Sequence, residues 1–172
     1  MLGLAVERTV ERTQAMLRIA LFADVQNIYY TTRQRYGRQF DYRALWRQLE
    51  AEGTLVSAIA YATDRQDSGQ RKFQNALRQL GFKVALKPYI QRADGSAKGD
   101  WDVGITLDVV ELAPQVDRVV LLSGDGDFDR LLERVRQRFG VQTEVYGVPE
   151  LTADSLIRAA DRFHPIDEKL LL

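Results

Sequence analysis

Five aspartates stand where one fold could bring them together: Asp24, Asp102, Asp108, Asp125 and Asp127. Asp24 ends a short apolar run, and Asp102 follows a glycine-bearing stretch at 95–99. Asp125 and Asp127 lie in Ser123-Gly124-Asp125-Gly126-Asp127, directly after another apolar run. Carboxylates crowded round one pocket repel one another unless protons or cations intervene. A hard divalent cation removes that conflict, and oxygen ligands of this kind suit Mg2+ or Mn2+. In phosphodiester hydrolysis such ions orient and activate water, neutralise the scissile phosphate and stabilise the departing oxygen. Competing chemistries find little support. The chain has no cysteine and one histidine, His164, which precedes Pro165 in a terminal segment and reads as a surface or packing residue. Thiolate and histidine-rich zinc sites are therefore excluded. No Walker-type phosphate loop occurs, and the segment after Asp24 lacks the Asp-x-Asp pattern of an aspartyl-phosphate nucleophile. Mg2+ or Mn2+ is the expected cofactor, with no organic cofactor.

Each carboxylate also has a plain structural reading. An aspartate after a strand often caps the next helix, and Asp127 could cap one beginning near Phe128. Asp108 follows Asp102 by six residues, about 120° around an ideal helix. The two do not share one narrow face, so Asp108 either reaches the pocket from a deeper turn, holds a water, or pairs with a basic group. Among the cations, Arg65, Lys72, Arg92 and Lys98 fall in segments expected near the same rim. They could contact phosphates or stand on solvated surface. Tyr29 and Tyr30 follow the first apolar run and offer either a stacking platform for an unpaired base or core packing.

The elements that must position these groups alternate. A helix is expected over 4–17, then a strand over 18–23 delivering Asp24 at its C-terminal end. Asp41 is placed as a cap for a helix carrying Leu45 and Leu49 before Gly53. A second strand is expected over 55–62. Ser68 is read as the cap of a helix with the stripe Phe73, Ala76, Leu77 and Leu80, ended by Gly81. A third strand covers 82–86, a loop 91–99, and a helix runs from Asp100 or its neighbour to about Leu112. The run 116–122 is the clearest buried strand. A helix over 128–139, a strand over 141–146 and a helix over 152–160 complete the pattern. Residues 163–172 either pack over the sheet edge or use their three final leucines in an intermolecular contact, which makes a homodimer an expected partner state.

Strands alternating with helices imply βαβ units, a mainly parallel sheet and ligands gathered beyond the C-terminal strand ends. Asp24, Asp125 and Asp127 then share one rim, and Asp102, at the start of a helix, can point to it. The glycines at 124 and 126 are expected to permit the tight turn. Composition agrees with one globular domain: 172 residues, 45% hydrophobic and 28% charged. The 24 basic and 24 acidic side chains balance, which argues against a protein that coats nucleic acid by charge alone. No segment is long and apolar enough to cross a bilayer. An intracellular, cytoplasmic location without membrane association is the expectation.

Taken in order, Asp24-Val25-Gln26-Asn27, Lys98-Gly99-Asp100-Trp101-Asp102 with Asp108, and Ser123-Gly124-Asp125-Gly126-Asp127-Phe128 resemble the NYN domain family, especially its LabA-like branch. Ala160-Asp161-Arg162-Phe163 resembles the family's ending. Val25 stands where the family often has glycine. The resemblance implies a three-layer α/β, PIN-like and Rossmann-like fold over 18–166, preceded by a helical extension at 1–17 and followed by a tail at 167–172. It implies that Asp24, Asp102 and Asp125 bind metal, with Asp108 and Asp127 as further acidic positions and Asp127 joining the catalytic set. Asn27 would position a water, a ligand or the first loop, and Ser123 would act near phosphate. With Lys98, Arg65 and Tyr29 they make up the expected substrate-binding residues. Because the wider family includes ribonucleases, the resemblance implies RNA as substrate and a metal-dependent endoribonuclease as the activity. As the alternative, the LabA-like branch implies a noncatalytic regulatory module that binds RNA or protein.

Overall fold

The computed structural model describes residues 17–65, 67–88, 90–91, 97–98 and 100–172, with the backbone alone for 90–91 and 97–98. Of the helix expected over 4–17, all but Leu17 lies outside the described residues.

The sheet is built from the most apolar runs of the chain. Strand β1 (Arg18–Asp24) is buried at every residue but the first. Such a continuous run, without a polar face, is the mark of a strand covered on both sides. It pairs in parallel with β2 (Thr54–Asp64) on one side and β6 (Arg118–Leu122) on the other. Strands β3 (Lys83–Pro88), β7 (Gln142–Gly147) and β8 (Arg162–Pro165) extend the sheet outward. Six strands run in the order β3-β2-β1-β6-β7-β8, every pairing parallel.

Two cores follow from the two faces of β1. Ile19, Leu21 and Ala23 meet helices α1 (Val25–Tyr36), α2 (Tyr42–Glu52) and α3 (Ser68–Leu80) through Ile28, Leu45, Leu49 and Leu77. Ala20 and Phe22 meet α4 (Asp102–Leu112), α5 (Asp129–Phe139) and α6 (Asp154–Ala159) through Ile105, Val109, Leu132, Val135 and Leu156. The chain winds outward from β1 in one direction with its helices on one face, then in the other direction with them on the opposite face. Right-handed crossovers force that exchange of faces. It leaves a crevice at the C-terminal ends of β1 and β6, where the winding reverses.

The expected three-layer α/β architecture is present, with local corrections. Helix α1 begins immediately after Asp24. Its sequence Val-Gln-Asn-Ile-Tyr-Tyr-Thr-Thr-Arg-Gln-Arg-Tyr buries only Val25, Ile28 and Thr32, too sparse a stripe to announce itself. The cap of α3 is Asp67, whose carboxylate accepts from the Gln70 N–H at 2.7 Å, so Ser68 is the first helical residue instead. The Asp41 cap on α2 is as expected. Within the stretch read as a loop, the short strands β4 (Ile90–Gln91) and β5 (Ala97–Lys98) pair antiparallel. The C-terminal segment supplies the edge strand β8, four residues long. Beyond it Leu170 and Leu171 are buried in this chain's own core, which leaves Leu172 as the exposed one of the three terminal leucines. No helix among the described residues is long and apolar enough to cross a membrane.

One buried charge sits in the sheet itself. Glu144 of β7 is 1% exposed and lies 2.7 Å from the Arg118 guanidinium, while its other oxygen contacts His164 of β8. The His164 ring stacks on Tyr146 with centroids 4.4 Å apart, so the single histidine packs as expected. Burial pushes the Glu144 carboxyl up, but His164 and Arg118 more than offset it and hold it below the usual value. Removing one partner of such a pair leaves the other charge buried and uncompensated. Glu144→Ala is expected to cost about 3 kcal/mol of unfolding free energy, read from urea denaturation. A loss below about 0.5 kcal/mol would show that the pair contributes nothing net.

Candidate metal centre

The switch point gathers the acidic residues. Ala23 is the register partner of Leu122, so the chain leaving β6 emerges beside Asp24, the last residue of β1. Asp102 is the first residue of α4, which covers the opposite face from α1. One carboxylate oxygen from each of Asp24, Asp102 and Asp125 lies within 4.8 Å of the others. Asp24 is buried and the other two are half-buried. Among the described residues none of the three forms an ion pair. An all-oxygen donor set with uncompensated negative charge fits a hard cation such as Mg2+ or Mn2+.

The neighbours hold these carboxylates rigidly. The Ser123 hydroxyl donates to Asp24 Oδ2 at 3.0 Å and accepts from the Asp125 N–H at 3.1 Å, linking two members of the triad through one fully buried atom. The Asn27 side-chain amide oxygen, Oδ1, accepts from the Gly124 N–H at 2.9 Å, which ties the first turn of α1 to the loop after β6. Asp125 Oδ1 accepts from the Asp127 N–H at 2.9 Å and so caps a short 3-10 turn, Gly126–Phe128. Asp125, not Asp127, is therefore the capping aspartate here, and α5 begins one residue beyond that turn.

Glycine at 124 has a different reason from the one expected. Its φ is not positive; instead a Cβ would stand 2.7 Å from the Leu151 carbonyl oxygen. The requirement is close approach of two backbones rather than a left-handed turn.

On the other side Trp101 sets the position of Asp102. Its indole N–H donates to the Ala62 carbonyl at 3.0 Å, its ring meets Tyr61 at 5.4 Å, and Lys87 lies over it at 4.6 Å. A Cβ at Gly104 would sit 2.6 Å from that ring. In the sequence Trp101 stands within the motif at 98–102 with no evident role of its own. Its spacing of three from Gly104 was the available signal.

The remaining expected residues disperse. Asp108 accepts from the Tyr61 hydroxyl at 2.7 Å and is not in the triad, which follows from the 120° offset. Asp127 is exposed and acts on Asp102 through its charge. Val25, in the place of a frequent glycine, is packed in the core, and the helix starts at once without an open loop. Tyr29 and Tyr30 are exposed on α1, 43% and 49%, and touch edge to face. Arg65 and Lys72 are exposed. Arg92 and the Lys98 side chain lie outside the described residues.

Crowding is visible in the acidities. Burial pushes Asp24 up to about 6 against the pull of the Ser123 hydroxyl. Burial, then the charges of Asp125, Asp100, Asp24 and Asp127, push Asp102 up to about 7. A carboxyl whose folded-state pKa is raised contributes stability at low pH that is lost as pH rises through that value. In EDTA, unfolding free energy should therefore fall by about 2 kcal/mol between pH 5 and pH 8. Asp24→Asn should flatten that slope, and Mg2+ at pH 8 should raise the melting temperature of the unsubstituted chain but not of the variant. A flat profile would mean that neither Asp24 nor Asp102 is raised by burial and its charged neighbours.

Comparison with known proteins agrees with this geometry. Residues 18–167 match the NYN domain family. The low amplitude and bright protein LabA of Synechococcus elongatus is 31% identical over 159 residues, covering 88% of this chain and 84% of its own length. A crystal structure of a Vibrio parahaemolyticus protein of unknown function superposes with a TM-score of 0.87 at 56% identity, covering 92% of this chain and 98% of that one. With the parallel sheet and the aspartate triad already established, these matches place the chain in the NYN domain family, in its LabA-like branch within the PIN-like superfamily.

Proposed function

We propose that this chain binds RNA at the C-terminal rim of its sheet and hydrolyses a phosphodiester there with Mg2+ or Mn2+ held by Asp24, Asp102 and Asp125. The observation that carries the reading is the convergence of those three carboxylates, unpaired with any cation among the described residues, at the switch point of a parallel sheet. When bound, a divalent cation would activate water and offset the charge of the phosphate. The chain's own residues do the positioning. Ser123 fixes the Asp24 and Asp125 carboxylates relative to each other, Asn27 clamps the loop that carries Asp125, and Trp101 anchors the turn that carries Asp102. Asp127, on the exposed side of the same turn, would hold a proton or a water at the edge of the site. Arg65 and Lys98 would meet flanking phosphates, and Tyr29 would stack against a base.

A second reading has its own support. LabA is named for amplitude and brightness rather than for a reaction, and the balanced charge suits a selective binder. On this reading the same rim recognises RNA or a protein without turnover. The comparisons support this reading better than they support hydrolysis, whereas the triad geometry supports hydrolysis.

Cleavage decides between them. Purified protein is incubated with 5′-labelled RNA and DNA oligonucleotides in EDTA, Mg2+ or Mn2+, beside an Asp24→Ala/Asp125→Ala variant of unchanged circular dichroism. The expected result is metal-dependent RNA cleavage that the variant loses by roughly a hundredfold or more, beyond the range seen when outer supporting groups are removed. Absence of cleavage by a folded, metal-loaded sample that still binds RNA would establish the regulatory module instead.

A further inference from the structure

A second feature stands beside the triad. Helices α1 and α3, the segment before α2 and the end of β2 enclose a cleft of about 630 Å3, within the range of small-molecule sites. Its wall includes Val25 and Gln26, which directly follow Asp24 in the chain. It also includes Thr63, two residues beyond Tyr61, the register partner of Asp24. The cleft therefore begins about one strand away from the carboxylates.

Its lining is apolar with a few polar groups aimed inward. Gln74 is 5% exposed, and its side chain has no hydrogen-bond partner among the described residues. Among the described residues the one buried side-chain polar atom left without a hydrogen-bond partner is Glu144 Oε2, so the Gln74 amide keeps contact with the solvent of the cleft and is free to pair with a ligand there. Carboxamides carry a donor and an acceptor side by side, the pattern that reads the edge of a base in two hydrogen bonds. Flat surfaces complete the site. Tyr30 and Phe73 line the cleft and stay 49% and 38% exposed, although each meets one other ring edge to face, Tyr29 and Tyr42 respectively. Base stacking on such rings is sequence-tolerant and strong.

We infer that this cleft is a nucleobase pocket: it seats the base of a nucleotide whose phosphate lies toward the carboxylate triad, with the Gln74 amide on the base edge and Tyr30 or Phe73 against its face. The choice of a nucleotide as occupant rests on the nucleic-acid reading above, whereas the unpartnered amide and the exposed rings are independent of catalysis.

The test separates the two. The full chain, in EDTA, is titrated by calorimetry with adenosine, guanosine, cytidine and uridine 5′-monophosphates and with ribose 5-phosphate. At least one nucleotide should bind ten times or more tightly than ribose 5-phosphate. Gln74→Leu should weaken that binding at least tenfold without a change in circular dichroism or melting temperature. Tyr30→Ala, an exposed position, should weaken it severalfold and guards against a Gln74 variant that misfolds. Nucleotide binding with this dependence, in a protein that cuts no RNA, upholds the pocket and overturns hydrolysis. RNA cleavage together with equal binding of nucleotides and ribose 5-phosphate overturns the pocket and leaves hydrolysis standing. A dimer in sedimentation equilibrium that Tyr30→Ala dissociates, with no preference for a base, also overturns it and assigns the cleft to a second copy of the chain.

Discussion

Like-charge repulsion among Asp24, Asp102 and Asp125 is the constraint around which this molecule is arranged. Burying their oxygens within 4.8 Å of one another raises the free energy of the apo protein, and burial first, then the neighbouring charges, push the Asp24 and Asp102 carboxyls above their usual range. Isolated loops would relax by moving apart. The carboxylates stay because each is delivered by an element with no freedom to yield: the end of a fully buried central strand, the first turn of a helix packed on that strand, and a turn after the neighbouring strand. Two cores clamp the sheet from both faces, and the packing energy of those cores offsets the local strain.

Fine positioning is left to small hydrogen-bonding groups that carry no charge. The Ser123 hydroxyl bridges two carboxylate-bearing segments, and the Asn27 amide joins α1 to the opposite half of the domain. Neutral donors lower the carboxylate energies a little without supplying a counter-charge. A lysine in their place would satisfy the aspartates and close the site to a cation. Close backbone approach does the rest: Gly124 lies against Leu151 with no room for a methyl group. In this respect the supporting shell is as particular as the triad.

The site is also asymmetric. On the α4 side Trp101 fills the space against Tyr61 and Ala62, and nothing larger fits under Gly104. Opposite, between α1 and α3, the structure leaves a cleft bordered by aromatic rings and amides. A polymer laid across the rim would meet a filled wall on one side and an open, base-sized recess on the other. On the proposed reading, that difference would orient a bound strand, which the carboxylates alone, being nearly symmetric point charges, would not do.

How much of this was legible before any coordinates divides along physical lines. Runs of consecutive apolar residues, such as 19–23 and 119–122, can only be buried on both faces, so the parallel sheet and the carboxylates at its strand ends followed from periodicity and from the lack of cysteine and of clustered histidine. Legibility failed where burial is sparse or the partner is remote. Helix α1 shows three buried positions in twelve residues, and strand β8 is held by the edge of β7 rather than by its own pattern. Asp108 was offered as a possible ligand because composition treats all aspartates alike, yet the Tyr61 hydroxyl, 47 positions away, engages it. The unpaired amide of Gln74 could not be anticipated at all, since glutamine on a helix is ordinarily solvated. Residue types and local spacing thus determined the sheet, its rim and the chemistry available there. Which carboxylates meet, what holds them and where a cleft remains were decided by tertiary packing, because those depend on distances between segments that no local pattern encodes.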